Sequence, residues 1–432
     1  MRYDRLITIC AAGSRKAARW PAQTLRWSEM VSRLKTPVRG TETLVDYLRL
    51  PRARQDELKD VGGFVGGMLK EGLRRSGMVQ SRDLVTLDMD TIPALATRDV
   101  LKAVSGLGCA YAAYSTRKHE PTRPRLRVVI PLSRSVTADE YEPIARRLAA
   151  FLGMERMDPT TFQAVRMMYW PSCCKDAEYV FAAEDKPMAD ADGLLRMYAN
   201  WRDVNSWPQV PGLPKLEAKQ LSRQEDPLRK TGVIGAFCRT YSIEEAMETF
   251  LPGVYVPCGE NRYTYAGGST TGGAILYDGK FLYSHHATDP CSEKLVNAFD
   301  LVRLHRYAYL DDEAQPGTPV GRLPSYSAMT QLATGDARVR AMLLSERAEA
   351  VRMDFGVGME GGAGMAGGAA MGKASGAGMA DGGANATASD PTASGAANAT
   401  ASEGAEGSGG PCGPLGPAPR ASGAQERSTQ SA

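Results

Sequence analysis

The chain is predicted to be an α+β protein whose core packs helices on a small mixed or antiparallel sheet, followed by a second small α+β module and a disordered C-terminal tail. Three observations predict this. Residues 80–200 alternate strand and helix signals in a mixed order. A stretch at 203–230, rich in proline and charge, separates them from a second patterned segment, and beyond Phe355 the composition collapses into Gly, Ala, Ser, Thr and Met. A chain of 432 residues has room for two cores.

Residues 1–75 read as a lead-in that packs on the core, with Trp20, Trp27, helical spacing over 28–34 and a second helix over 41–50. An apolar run predicts a buried strand over 84–88, then a helix near 97–106, a strand over 109–114 and a strand over 125–130 set between Pro124 and Pro131. Thr137-Ala138-Asp139-Glu140 is a capping box that opens a helix over 138–152. Tyr141, Ile144, Leu148 and Phe151 recur at helical spacing, and Gly153 supplies the stop. A strand-like run at 165–170 completes a first domain over 1–202. Pro208, Pro211 and Pro214 mark 203–230 as a linker. An accessory module over 231–312 holds a helix capped by Ser242 and Glu245, and strands at 274–277 and 280–284 turned through Asp278-Gly279. Residues 313–355 read as a helical or irregular extension, and 356–432 bury too little apolar bulk to offset chain entropy.

Net charge is only +3, so no global basic field announces nucleic acid; the basic residues concentrate locally, at 117–134 and 223–230. Eight cysteines in so long a chain lack the density of a disulfide scaffold, and a reducing cytoplasm is the expected compartment. The apolar stretch Leu6–Ala12 is interrupted by Arg15 and Lys16, too short for a signal peptide or a membrane span, so no membrane partner is expected. Asn-Ala-Thr at 385 and 398 matches a glycosylation acceptor, which means nothing without secretion. Gly367 to Ala374 imitates a phosphate-binding loop but lacks the Ser or Thr after Lys373, and reads as low-complexity coincidence.

The candidate site starts at Asp88 and Asp90. Residues two apart at a strand's end share a face, so the two carboxylates project together, as hard cations such as Mg²⁺ or Mn²⁺ require. Arg125 and Arg127 share a face of a later strand, and guanidinium forks suit phosphate oxygens. Ser115, Arg117, Lys118 and His119 lie just upstream as further groups that can meet a triphosphate. Asp158 offers a third carboxylate and Arg166 another guanidinium. Cys258, His285, His286 and Cys291 are the residues a zinc site would use, but their spacing departs from Cys-x₂₋₄-Cys pairs and zinc is not expected; the simpler arrangement has one of the two histidines buried and the other exposed.

In order along the chain, Asp88-x-Asp90, Ser115 with His119, and Met157-Asp158 resemble the motifs of the archaeo-eukaryotic primase superfamily, which includes primase-polymerases. Three residues separate Ser115 from His119 where the usual motif has one, and Arg117 stands two after the serine. Longer strings resemble phage and prophage replication proteins of the virulence-associated protein E type: Lys59 to Gly67, Gly232 to Arg239, Tyr283 to Pro290 and Asn297 to His305. The resemblance spans about residues 1 to 312 and does not continue into the helicase ATPase that usually follows. It implies an RNA-recognition-like catalytic core, divalent metals on Asp88, Asp90 and Asp158, and an incoming nucleotide contacted by His119. The expected function is therefore nucleotidyl transfer on a single-stranded DNA template, from NTP or dNTP, with a separate replicative helicase as a possible partner. Two other readings use the same residues: a primase-like protein that binds an origin or a single strand without synthesis, and a metal-dependent nuclease.

Overall fold

In the computed structural model, residues 1–212, 224–315 and 317–356 are described, so the expected tail at 356–432 falls outside this range except for Gly356, as does the middle of the linker. The first strand, β1 (Leu6–Ala12), is the apolar run that is too short for a membrane span; it pairs with β2 (Ala22–Arg26) across a basic loop. Next come α1 (Trp27–Lys35), the short β3 (Val38–Arg39), α2 (Leu44–Arg49) and α3 (Arg52–Lys59). Two three-residue strands, β4 (Gly63–Val65) and β5 (Gly67–Leu69), then carry the chain from one sheet to the next. The Gly-rich string here serves close strand approach: a Cβ on Gly67 would stand 2.0 Å from the Ser81 carbonyl, and one on Gly63 2.5 Å from that of Met168.

The central elements follow as β6 (Val79–Met89), α4 (Thr97–Ser105), β7 (Tyr111–Ser115), β8 (Leu126–Val136) and α5 (Ala138–Leu152). Short strands β9 (Met168–Tyr169), β10 (Ser172–Cys173) and β11 (Phe181–Glu184) and the helix α6 (Ala191–Arg196) close the segment. The main sheet is antiparallel, in the order β11-β7-β8-β6-β5, and a second has the order β2-β1-β4-β9. The β6-α4-β7-β8-α5 sequence, with β8 between β6 and β7, is the βαββα part of an RNA-recognition-like arrangement. The strand beside β6 is β5, which precedes it in the chain, while β11 lies beside β7.

Alternation along β6 decides which face does what. Val85, Leu87 and Met89 join Val100 and Val104 of α4 and Tyr141, Ile144 and Leu148 of α5 in one apolar cluster. Leu84, with Tyr114 and Val129, faces Trp27, Met30 and Leu34 of α1 and Ile7 and Ile9 of β1 in another. The sheet is thus covered on both faces. Thr137 and Glu140 form the expected capping box of α5, although Phe151 is 56% exposed and Leu152 takes the buried position. The strand-like run at 165–170 shortens to β9, because it only edges the small sheet.

A third sheet, antiparallel in the order β12 (Tyr255–Gly259), β13 (Arg262–Tyr265), β14 (Ala274–Tyr277), β15 (Phe281–Ser284) and β16 (Leu295–Val296), lies in the accessory segment. The β14–β15 hairpin turns through the three residues between the paired Tyr277 and Phe281, with positive φ at Asp278 (φ 52) and Gly279 (φ 66). Its core gathers Phe237, Met247, Leu282 and Phe299. The later helices, Pro324–Gly335 and Ala337–Gly356, contribute Met329, Ala333 and Val339 to the same cluster, so this part of the expected extension is core rather than appendage.

Helix α5 meets this later segment through charge. Asp139 accepts from the Ser269 backbone N–H at 2.6 Å and its hydroxyl at 2.9 Å. Glu142, ion-paired to Arg146 at 2.8 Å, stands beside His285 and Glu293, whose ring nitrogen and carboxylate are 3.6 Å apart. Burial pushes the His285 imidazole down, but the hydrogen bond and charge of Glu293, with the charge of Glu142, outweigh it and leave it raised. For Glu293 burial pushes up, and His285 and Tyr283 more than reverse it, so its carboxyl is lowered. The sign follows. A raised imidazole contributes stability that is fully present below its unfolded value of 6.5 and is lost as pH rises through the folded value. A lowered carboxylate contributes stability that is lost as pH falls through its own folded value. Melting temperature of the wild type is expected to decline from about pH 6 to pH 9. In Glu293→Gln, which loses about 1–3 kcal/mol at pH 6, that slope should flatten; an unchanged slope would remove this pair from the account.

Candidate active site

The register of β6 against β8 builds the site. Asp88 lies opposite Arg127, and Tyr114 opposite Arg127 from the other side, so these side chains share a sheet face. Arg127 Nε stands 3.4 Å from Asp88 Oδ2. One step out along both strands, Arg125 Nη1 stands 2.9 Å from Asp90 Oδ2. Asp158 arrives from the loop after α5, tied by its N–H to the Asp88 carbonyl at 2.9 Å and by a bridge between Met157 and Met89. It caps the short helical turn Pro159–Phe162, accepting from Thr160 N–H at 2.8 Å and its hydroxyl at 2.7 Å, and its other oxygen lies 3.5 Å from Arg166. The three acids and three of the arginines read from the sequence therefore converge, each acid with a guanidinium.

Two features set this cluster apart from an ordinary ion-pair network. Asp88 Oδ1 is buried without a hydrogen-bond partner, a state that costs about 1–3 kcal/mol unless something binds there. Burial, and then the neighbouring charges of Asp88 and Asp158, push the Asp90 carboxyl up to about 6 against the opposing pull of Arg125 and Arg127. Asp90 thus lies near enough to Asp88 and Asp158 to feel both charges, although the three carboxylates do not bring their oxygens within 4.8 Å of one another as the metal-type groups Asp289-Cys291-His305 and Glu142-His285-Glu293 do. Carboxylate oxygens are the donors that hard cations of the Mg²⁺ or Mn²⁺ type take.

The other sequence candidates lie around this cluster with contacts of their own. Arg117 is buried, ion-paired with Glu42 and set 5.2 Å from the Tyr47 ring, so it holds α2 to the core and does not reach the acid cluster. Ser115 is buried and its hydroxyl accepts from the Val180 N–H at 2.9 Å, fastening the loop that leads into β11. His119 is 3% exposed, and its Nδ1 sits against the Arg125 backbone, 3.1 Å from the N–H and 3.2 Å from the carbonyl. Burial lowers the imidazole, only partly offset by the Arg125 backbone and by Glu178 and Glu120, so the ring is neutral at pH 7. It orients the residue that pairs with Asp90 and keeps Nε2 for another partner. Lys118 is half-buried and also lowered, by burial and then by Arg52, Arg125 and Lys59.

The four zinc candidates are not brought together. Cys258 is exposed on β12; His286 is fully buried, with Thr270 at 2.6 Å on its Nδ1. Neither histidine is exposed, because Glu142 and Glu293 cover His285. Cys291 instead meets Asp289 and His305, whose imidazole is 3.3 Å from Asp289 while Tyr255 bonds both. Thr161 was not legible: its hydroxyl receives the Asp88 N–H at 2.8 Å and donates to the Thr86 carbonyl at 3.1 Å, locking the Asp158 loop to β6. Nothing in its local sequence marks it.

Residues 1–210 match the family described as the VapE N-terminal domain. No curated protein matches the chain. Among solved structures, the AEP domain of the cyanophage S-2L primase-polymerase aligns with 13% identity over 44% of this chain and 88% of its own, at a TM-score of 0.25.

Proposed function

We propose that the VapE N-terminal domain carried by residues 1–210 is a nucleotidyltransferase that joins nucleotides on a single-stranded DNA template during replication of a phage or mobile element. The observation that carries the reading is the buried, unpartnered Asp88 Oδ1 within a cluster whose Asp90 carboxyl is pushed up to about 6. Asp88, Asp90 and Asp158 would hold divalent metal, which supplies charge stabilisation at the transferred phosphate and activation of the attacking hydroxyl. Arg125 and Arg127, now turned to the acids, are the groups that exchange to triphosphate oxygens once the carboxylates are engaged. His119 offers its Nε2, and Lys118 its ammonium, to the same phosphates. Arg166, beside Asp158, neutralises charge at the third corner.

One observation favours a second reading. Every acid already has an arginine partner, as expected if the carboxylates are structural in a strand- or origin-binding protein. Nucleotide affinity separates the two. With Mg²⁺ or Mn²⁺ present, calorimetry on His119→Ala is expected to show triphosphate binding weakened about tenfold, the scale of one hydrogen bond to a charged group. Fluorescence anisotropy on a labelled single strand should show little change, because strand affinity follows counterion release. Lost strand binding with intact triphosphate binding favours the second reading. A nuclease would cut the strand with no triphosphate present.

A further inference from the structure

The N-terminal segment approaches the acid cluster with charge that the nucleotidyl-transfer reading does not use. Helix α3 carries Arg52, Asp56 and Lys59 at the three- and four-residue spacings that share a helix face. Around the Asp56 carboxylate stand Lys59 Nζ at 3.4 Å, Arg52 Nε at 3.7 Å and, from the loop after β1, Arg15 Nη1 at 3.9 Å. Asp60, accepting from the Arg15 backbone N–H at 2.9 Å, is the nearby second carboxylate, so two acids face three cations. A solvated basic stripe would send all of them to water, yet the Lys59 side chain is only 26% exposed. Its ammonium lies 4.7 Å from the centroid of the Tyr169 ring, which the Arg127 guanidinium also approaches, at 5.6 Å. Arg127 in turn is the partner of Asp88. Lys59 is therefore one aromatic ring away from the acid cluster. Burial, and then the charge of Arg127, lowers the Lys59 ammonium despite Asp56 and Asp88, and Lys59 in its turn helps to lower Lys118, which makes no ion pair among the described residues. Cations crowded at the edge of a metal-type acid site are balanced by an anion that enters with the ligand.

We propose that Lys59, Arg52 and Arg15, gathered on Asp56 beside Tyr169, form a phosphate-binding subsite through which the N-terminal segment grips the ligand of the acid cluster. The inference rests on the nucleotidyl-transfer reading and extends it to residues outside the acids, His119 and their arginine partners. The ligand chemistry is a phosphate group, supplied either by the tail of a nucleoside triphosphate or by the backbone of the strand.

The test uses the full chain with Mg²⁺, comparing wild type with Lys59→Ala, Lys59→Gln and Lys59→Arg. Two probes are measured on each preparation: ATP and dATP by calorimetry, and a fluorescein-labelled oligothymidylate by anisotropy across a salt series. Lys59→Ala and Lys59→Gln are expected to weaken one probe about 5- to 30-fold, and Lys59→Arg to restore most of it. Loss confined to the triphosphates identifies the nucleotide tail. Loss confined to the oligothymidylate, with a salt slope shallower by about one, identifies the strand. Both probes unchanged in a folded Lys59→Ala or Lys59→Gln would overturn the proposal. If neither Lys59 variant folds, the double variant Arg15→Gln, Arg52→Gln, whose side chains are 36% and 58% exposed, carries the same comparison. Failure of the broader reading is seen separately, as wild type that binds neither probe, and it removes this inference as well.

Discussion

Asp88→Asn and Asp90→Asn are expected to abolish template-directed nucleotide incorporation, with a loss of at least about 10³-fold, because each removes a charge that several kcal/mol of metal-assisted transition-state stabilisation depends on. Their effects on folding should differ. Asp88 is opposite Arg127, whose side chain is 9% exposed, so neutralising the acid leaves a buried guanidinium short of its partner and should lower the melting temperature. Asp90 sits in the reverse situation. Its carboxyl, pushed up to about 6 by burial and by Asp88 and Asp158, is strained when ionised, so Asp90→Asn should leave stability at pH 7 unchanged or slightly raised while activity disappears. For the same reason Mn²⁺ is expected to raise the melting temperature of wild type more than that of either variant. The checks are extension by gel and unfolding by calorimetry on the same preparations, and full activity in a folded variant would sink the metal assignment.

Arg82 is expected to carry the largest purely structural effect. Its side chain is fully buried in the sheet interior, donating to the carbonyls of Ala164 and Leu84, the latter at 3.1 Å, to Thr86 Oγ1 at 3.0 Å and to Tyr141 Oη at 3.1 Å. It also lies 3.9 Å from the centroid of the Tyr141 ring. No carboxylate pairs with it among the described residues, and burial lowers its guanidinium. Arg82→Ala removes a large side chain and orphans several buried acceptors at once, a loss of about 3–5 kcal/mol. Arg82→Met, which fills much of the volume and relieves the buried charge, should cost less. Because Ala164 lies in the loop that carries Asp158 and Arg166, both changes should also weaken metal-dependent activity. Equal melting temperatures for wild type and Arg82→Ala would contradict this role.

What was legible in the sequence is what local pattern controls. The α5 capping box, the Asp278-Gly279 hairpin and the shared face of Asp88 and Asp90 are set by residues a few positions apart, and each stands where the pattern puts it. The pairing of Arg125 and Arg127 with the acids was half legible. Both faces could be read, but the phosphate role assigned to them left out the antiparallel register that sets each guanidinium against a carboxylate. The burial of Arg117 against Glu42 and of Ser115 against Val180 rests on contacts far along the chain that local pattern does not show. The same applies to Cys291, whose partners Asp289 and His305 both lie outside the set Cys258, His285, His286 and Cys291. Strand β1 reads in sequence only as an apolar run too short for a membrane span, because its partners β2 and β4 give weak signals of their own. Nonlocal pairing decides these cases, and a single sequence carries little trace of it.

The most direct test is extension of a labelled primer on an oligothymidylate template by the wild-type chain, with each of the four nucleotides offered singly as NTP or dNTP, in Mn²⁺ or Mg²⁺ and again in chelator. The account predicts metal-dependent lengthening with the adenine nucleotide only, lost in Asp90→Asn. Metal-dependent shortening of the strand, or strand binding with no incorporation under any of these conditions, would contradict it.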